Sequence, residues 1–471
     1  MSLKPFKAKT TKSSILADTL TPVAMYMRLR DNYPGSILLE SNEYGQRSNS
    51  YSFLCCNPVA GFEVTYDYIK TNFPDGSTTS QEFNKDYRLA QGLDTFKNCF
   101  ESSQNTAPYP TNGLFGYLSY DAVQLFENIK FQNRDEHSSN IPLANYQVFQ
   151  TVIVFDHYFN QVHVYDNCYD GHESKIDEVL TVINHRDVAQ YDFHTTGEEQ
   201  SELTDDGFKE LVEKGKQHCR RGDVFQIVLS RKFTQGFRGD DFNVYRQLRA
   251  INPSPYLFYF DYGDFRIMGS SPEAQLLING NNASIQPIAG TYKRTGNDLD
   301  DLKAAENLKK DPKETAEHVM LVDLARNDLS RHAREVEVSS YQNIHFYSHV
   351  IHMVSKVTGT IQQADKLALV ADTFPAGTLS GAPKFNAMQL IDSYEKSSRT
   401  FYGGAIGYLG FNGDFNHAII IRSILSQNNK LQFRAGAGVV VASDLESEMQ
   451  EVYNKTNALR SAINKANNNN L

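Results

Sequence analysis

Two pairs of glutamates with identical spacing carry the clearest chemical potential in this chain. In DPKETAEHVMLVDLARND (311–328), Glu314 and Glu317 lie three residues apart, and in VVASDLESEMQEVYNK (440–455), Glu448 and Glu451 repeat the spacing with Lys455 one turn on. On a helix, that spacing stacks the side chains on one face. Glu314 and Glu317 also continue the stripe of Leu321 and Leu324. Val319, Met320, Val322 and Ala325 extend the apolar surface beyond one face, the pattern of a helix surrounded by protein. A carboxylate taken from water is costly unless it is paired or bound to a cation. Two helices bearing Glu-x-x-Glu can offer four carboxylates to one hard cation. Oxygen donors without a cysteine or histidine cluster favour Mg²⁺. Taken singly, each pair also fits a solvated first helical turn, and Glu451 with Lys455 fits an ordinary i, i+4 ion pair.

The elements that must position these groups are legible in outline. Asp311 reads as an N-cap with Pro312 at the first helical position, and Ser443 with Glu446 reads as a capping box. Helices are expected at 311–330, about 383–397 and 444–466. Three turn pairs, Gly280-Asn281, Asn412-Gly413 and Asn428-Asn429, separate strand-like runs. Read as two-residue loops, they set Glu273 opposite Ile288, beside Ala289. They set Arg422 opposite Gly403, beside Tyr402, and on its other side opposite Ala435, beside Gly436. Arg422, within AIIIRSIL, needs a partner, and a bidentate carboxylate suits it. Glycines in the RAGAG run allow a ligand to approach the main chain closely.

Up to about residue 183 the text is strand-rich, with ILLE, YSFL, TVIVF and QVHVY. Residues 185–206 are polar and read as a linker. The expected organisation is an N-terminal region (1–184), that linker, and a larger unit (207–466), followed by an asparagine run (467–470) expected to fray. The fold class is α+β: antiparallel sheets with helices packed on them.

The chain has 471 residues, 40% hydrophobic and 22% charged, an ordinary globular composition with room for two or three domains. A net charge of −10 argues against nucleic acid or an anionic membrane as main partner. No run approaches the length of a membrane span, and the basic start lacks a hydrophobic segment of the signal-peptide kind. Five cysteines without metal-type spacing suggest reduced thiols in the cytoplasm.

PIAGT (287–291), DPKETAEHVMLVDLARND, FPAGTLSGAPK (374–384), YGGAIGY (402–408) and the closing GAG…ESEMQEVYNK, in that order, resemble the chorismate-binding enzymes. Within them the chain is similar to the large, aminase component of anthranilate synthases. The resemblance covers about 204–460, and LLES (38–41) with GLFGYLSYDAV (113–123) extends it toward the N-terminus. It implies that chorismate and ammonia yield anthranilate and pyruvate in tryptophan biosynthesis. It implies a Mg²⁺ held by Glu317 and Glu451, with Glu314 and Glu448 closing the site through water. Glu273 corresponds to the acid that assists departure of the C4 hydroxyl, and Tyr402, Arg422, Gly436 and Gly438 to groups holding the substrate carboxylates. Thr291 lines the ring, Lys455 accompanies the metal-side carboxylate, and His352 is tied to pyruvate elimination. Gln226 stands where isochorismate and salicylate synthases carry a lysine base, which favours ammonia over water. Ala289 replaces the lysine usual in aminodeoxychorismate synthases, the nearest rival reading. A non-catalytic amino-acid-sensing relative is the distant one; it conflicts with the intact acid and metal positions.

No cysteine has the setting of a triad glutaminase, so the resemblance implies a separate glutamine amidotransferase subunit and a hetero-oligomer. Glu40, Ser41, Asn252, Pro253, Tyr256 and Leu257 match the family's pocket for L-tryptophan as feedback inhibitor. An edge strand with no regulatory role fits LLES nearly as well.

Overall fold

The computed structural model describes residues 5–41, 50–84, 87–101, 107–132, 141–169, 171–185, 187–346 and 350–468. Its ladders are antiparallel and join strands from both halves of the chain. Leu257 of the strand Tyr256–Asp261 pairs with Glu40, and Ala405 of the strand Ala405–Leu409 pairs with Leu118. Helices pack on these sheets, as the α+β pattern requires. The stretch expected as a linker contains a strand, Phe193–Ser201, paired with the long strand Gln226–Gly239. One apolar core runs from Ala17 through Phe193, Phe233 and Phe433 to Ala466, so segments far apart in sequence share it.

The helix Pro312–Ser330 begins where expected. Asp311 caps it, its Oδ1 accepting from Glu314 N and its carbonyl from Thr315 N. Leu321, Val322 and Ala325 are buried, but Val319 is 40% exposed, so one flank of this helix faces outward rather than being enclosed. The last helix, Leu445–Asn468, is capped by Asp444 instead of Ser443. Asp444 Oδ1 accepts from Ser447 N, while Ser443 Oγ accepts from Val440 N and closes the preceding turn. Glu446 pairs outward with Lys209. The asparagine run is helical through Asn468, and Asn467 Oδ1 accepts from Thr195 N; residues 469–470 lie outside those described.

The turns differ from one another. Asn428 and Asn429 both have positive φ and join Gln427 to Lys430, a tight two-residue loop as expected. Gly280-Asn281 joins Asn279 to Asn282, but this ladder ends at Leu277 and Ser284. Pro287 has no N–H to extend it, and Ile288–Lys293 pairs instead with the strand Val350–Thr360. Glu273 therefore does not face Ile288. Asn412-Gly413 belongs to a five-residue loop, Gly410–Asp414, closed by Gly410 N to Asp414 O and braced by Lys366 Nζ on Asn412 O. The register shifts by one: Leu409 pairs with Phe415, and Gly403 N reaches Ile420 O rather than facing Arg422.

Candidate active site

Arg422 falls between the strands Phe415–Ile419 and Ser423–Gln427, with φ of 49°. That left-handed residue belongs to neither adjoining ladder. Among the described residues its guanidinium has no ion-pair partner, although Glu273 is close enough to raise its pKa against the lowering effect of burial. An arginine without an ion-pair partner offers a planar fork of donors whose geometry suits a carboxylate.

Glu273 lies after the strand Phe265–Ser271, and its backbone carbonyl accepts from Ile419 N. Burial raises its carboxyl to about 8, against the opposing pulls of Thr378, Lys455 and Arg422. It is therefore protonated near neutral pH, the state a general acid requires. Thr378 Oγ1 donates to Glu273 Oε1 at 3.3 Å. Thr378 sits in the FPAGTLSGAPK motif, whose individual residues carried no assignment in the sequence reading.

Tyr402 is buried, which raises its pKa and keeps its phenol protonated; its hydroxyl has no hydrogen-bond partner among the described residues. On the opposite wall, Lys455 Nζ contacts Glu451 Oε1 at 2.6 Å and donates to Gly436 O at 2.9 Å. The Lys455 side chain is exposed along part of its length; loss of water around the ammonium would lower its pKa, but Glu451 and Tyr402 outweigh this and the pKa rises. Lys455 also lowers the pKa values of both Glu273 and Tyr402, so these side chains face one electrostatic neighbourhood.

Gln226 opens the strand Gln226–Gly239, and its Nε2 donates to Glu317 Oε1 at 3.3 Å. A Cβ on Gly438 would lie 2.6 Å from the same Nε2. Glycine at 438 thus leaves room for the amide that links the strand to the acidic helix. Gly290, with φ of 74°, forms a bulge in Ile288–Lys293; a Cβ there would come within 3.3 Å of Glu314 Oε2. Its carbonyl meets His352 Nδ1 at 3.1 Å. A carbonyl can only accept, so Nδ1 carries the proton and Nε2 the lone pair. Burial pushes His352 down to about 4, leaving the imidazole neutral. Thr291 is paired with His352 through the backbone, and its side chain lies outside those described. Glu448 is buried one turn before Glu451 on the last helix.

The acidic helix is thus tied to Gln226 and the last helix to Gly436, on two paired strands. Among the described residues no three acidic, histidine or cysteine side chains converge closely enough to form a complete metal cage. Carboxylates are the donor type that Mg²⁺ takes, one or two at a time, with water and substrate oxygens in its remaining positions.

The residues expected at a tryptophan pocket lie on and beside the paired strands Ile37–Glu40 and Tyr256–Asp261. Glu40 is buried and accepts from Tyr245 Oη at 2.7 Å and from Arg249 Nε at 2.9 Å. Burial raises its pKa, and Arg249 and Tyr245 counter this. Leu257 pairs with Glu40 across the sheet, and Tyr256 pairs with Ser271, two residues before Glu273. Asn252 Nδ2 reaches Ser270 Oγ at 3.3 Å, Pro253 follows it, and Ser41 borders residues 42–49, which lie outside those described.

The family model described as chorismate binding enzyme matches residues 20–461. The chain belongs to the chorismate binding enzymes. Its relatives include "Anthranilate synthase component 1" of Neisseria meningitidis serogroup B, 37% identical, the alignment covering 94% of this chain and 93% of the relative. The protein of the same name from Aquifex aeolicus is 34% identical, with 96% and 94% covered. The crystal structure of anthranilate synthase component I from Streptococcus pneumoniae superposes with a TM-score of 0.74 at 31% identity, covering 95% of this chain and 99% of that one. The menaquinone-specific isochorismate synthase of Escherichia coli shares the fold, with a TM-score of 0.72 at 18% identity, covering 98% of this chain and 96% of that one. Among the described residues no helix is long and apolar enough to cross a membrane.

Proposed function

We propose that this chain is the aminase component of an anthranilate synthase, converting chorismate and ammonia to anthranilate and pyruvate in tryptophan biosynthesis. The observation that carries this reading is the pairing of a protonated acid, Glu273, with an arginine, Arg422, that has no ion-pair partner among the described residues. Arg422, Tyr402 and the backbone at Gly436 and Gly438 bind the carboxylates of chorismate, and Thr291 borders the ring. Glu273 gives its proton to the C4 hydroxyl, the C4–O bond breaks and water leaves. Ammonia bonds to C2 as the ring double bonds shift, and the new ammonium gives up a proton, which restores the Glu273 carboxyl. His352, neutral with its lone pair on Nε2, takes the proton from C2, the C3–O bond breaks and pyruvate leaves in its enol form, reclaiming a proton as it becomes the ketone; an aromatic ring remains. Glu317 and Glu451 would hold Mg²⁺ directly, Glu314 and Glu448 through water, with Lys455 beside the same carboxylate. When bound, the ion neutralises and orients that carboxylate.

Gln226 supports amination over hydration: its amide has no basic lone pair with which to activate water, and its NH₂ group is directed at Glu317. Ala289 supports anthranilate over aminodeoxychorismate. Ammonia must come from elsewhere, because none of the five cysteines is activated. Burial raises all of them, Cys56 to about 12. A glutamine amidotransferase subunit in a hetero-oligomer, in the cytoplasm, is the corresponding partner. Glu40, Ser41, Asn252, Pro253, Tyr256 and Leu257 form the proposed site for feedback by L-tryptophan.

The test supplies purified chain with chorismate, Mg²⁺ and an ammonium salt and follows anthranilate fluorescence. Signal that requires Mg²⁺ and is lost in Glu317→Gln supports the reading. Chorismate consumed into a different product, identified by chromatography, supports a sister reaction instead.

A further inference from the structure

GLFGYLSYDAV lies outside the catalytic machinery described above, yet it meets the substrate wall directly. The segment Ser398–Gly404 carries Tyr402 between two buried supports. Tyr120 N donates to Thr400 O at 2.7 Å. In return, Asp121 Oδ2 accepts from Thr400 N at 3.2 Å and from Ser398 Oγ at 3.1 Å. Thr400 is held with φ of 51°, a conformation a threonine adopts only under external constraint. The Tyr120 ring lies 4.8 Å from the Arg399 guanidinium, whose other ring neighbour is Tyr402 at 5.8 Å. Arg399 is fixed by Glu395 at 2.6 Å and by the carbonyls of Leu379 and Val228. The fit is close: a Cβ on Gly403 would come within 3.2 Å of Tyr120, and one on Gly404 within 2.2 Å of Leu118 O.

We infer that Asp121, with Tyr120, is a positioning residue for Tyr402: the N-terminal region clamps the Thr400 turn and so sets where the phenol meets the substrate. Asp121 is 4% exposed and, among the described residues, hydrogen-bonds no catalytic group itself, so its influence passes through Thr400 and Ser398, and that of Tyr120 through Thr400 and Arg399. The inference rests on the proposed chorismate-binding role of Tyr402. It makes the 1–184 region part of the active site's framework rather than only a regulatory appendage.

A double-mutant cycle on chorismate affinity tests it, measured calorimetrically with Mg²⁺ and no ammonia, so that binding is read without amination. Asp121→Ala and Tyr402→Phe are each expected to weaken binding by about 10-fold, and the double variant by little more than either alone, because both remove one interaction. Asp121→Asn, whose carbonyl oxygen can still accept from Thr400 and Ser398, should restore most of the affinity. Independent effects, with the double variant weakened by about 100-fold, would overturn the inference, as would wild-type affinity in Asp121→Ala. If Asp121→Ala does not fold, Ser398→Ala removes one of the two hydrogen bonds at a half-buried position and must show the same loss of effect in the Tyr402→Phe background. A wild-type chain that binds chorismate but makes no anthranilate when ammonia is added sinks the aminase reading and leaves the cycle intact. One that binds no chorismate sinks both.

Discussion

Replacing Glu273 with glutamine should make the protein more stable and far less active, with a stability gain that depends on pH. The carboxyl sits near 8 in the folded chain and 4.5 when free. A carboxyl raised by burial favours the folded state most below its unfolded pKa. That contribution is lost as pH rises from 4.5 to 8, because the unfolded chain gains by ionising while the folded one cannot; above 8 the loss is constant. At pH 7 the cost of keeping the proton comes to about 3 kcal/mol, reduced to about 2 kcal/mol because the side chain is only partly removed from solvent. Glutamine has the same shape and never ionises, so it escapes this cost. For a chain of 471 residues, 2 kcal/mol corresponds to a Tm gain of about 2 °C. Scanning fluorimetry of both proteins should show no gap near pH 4.5, about 2 °C at pH 7 and about 3 °C above pH 8. Activity should move the other way: kcat in Glu273→Gln is expected to fall by about 10²–10⁴-fold, and wild-type kcat/KM should decline above about pH 8. A Tm gap that is the same at every pH would refute the burial argument, and undiminished kcat would refute the acid assignment.

Two further outcomes follow from the geometry. Gly438→Ala places a methyl 2.6 Å from Gln226 Nε2, so the amide must leave Glu317. A loss of about 10- to 100-fold in kcat/KM with a Tm within about 2 °C of wild type is expected, and Gln226→Ala introduced into that variant should cost little more. His352 is neutral down to about pH 4, so kcat should show no inflection near 6.5. His352→Ala should separate chorismate consumption, followed by absorbance, from pyruvate release, followed with a coupled dehydrogenase; equal losses in both would remove it from the elimination step.

Much of the site was legible because its parts sit in short motifs governed by local rules. The Asp311 cap and the Glu314–Glu317 and Glu448–Glu451 spacings follow from helical geometry alone, and the Asn428-Asn429 turn from two residues that tolerate positive φ. The misreadings arose where a distant group decided a local question. Lys366, 46 residues away, braces the loop around Asn412 and shifts its register. Pro287 ends one ladder and sends Ile288 to another strand. Asp444 outcompetes Ser443 as the cap because Ser443 Oγ is occupied by Val440 N. Val319 is open to solvent although its sequence neighbours suggest enclosure.

By itself, then, the sequence determined which residue types are available, the helices that display the paired glutamates and the α+β class, since these rest on spacing, capping and turn chemistry within a few residues. Only the tertiary structure decided that Thr378 reaches Glu273, that Gln226 bridges Glu317 and the glycine strand, and that Asp121 holds the turn before Tyr402. Each of those contacts spans 90 residues or more of chain, and no periodicity reports on it. The raised carboxyl of Glu273 and the lowered imidazole of His352 belong to the same class: burial produces both, and burial is a property of the assembled fold.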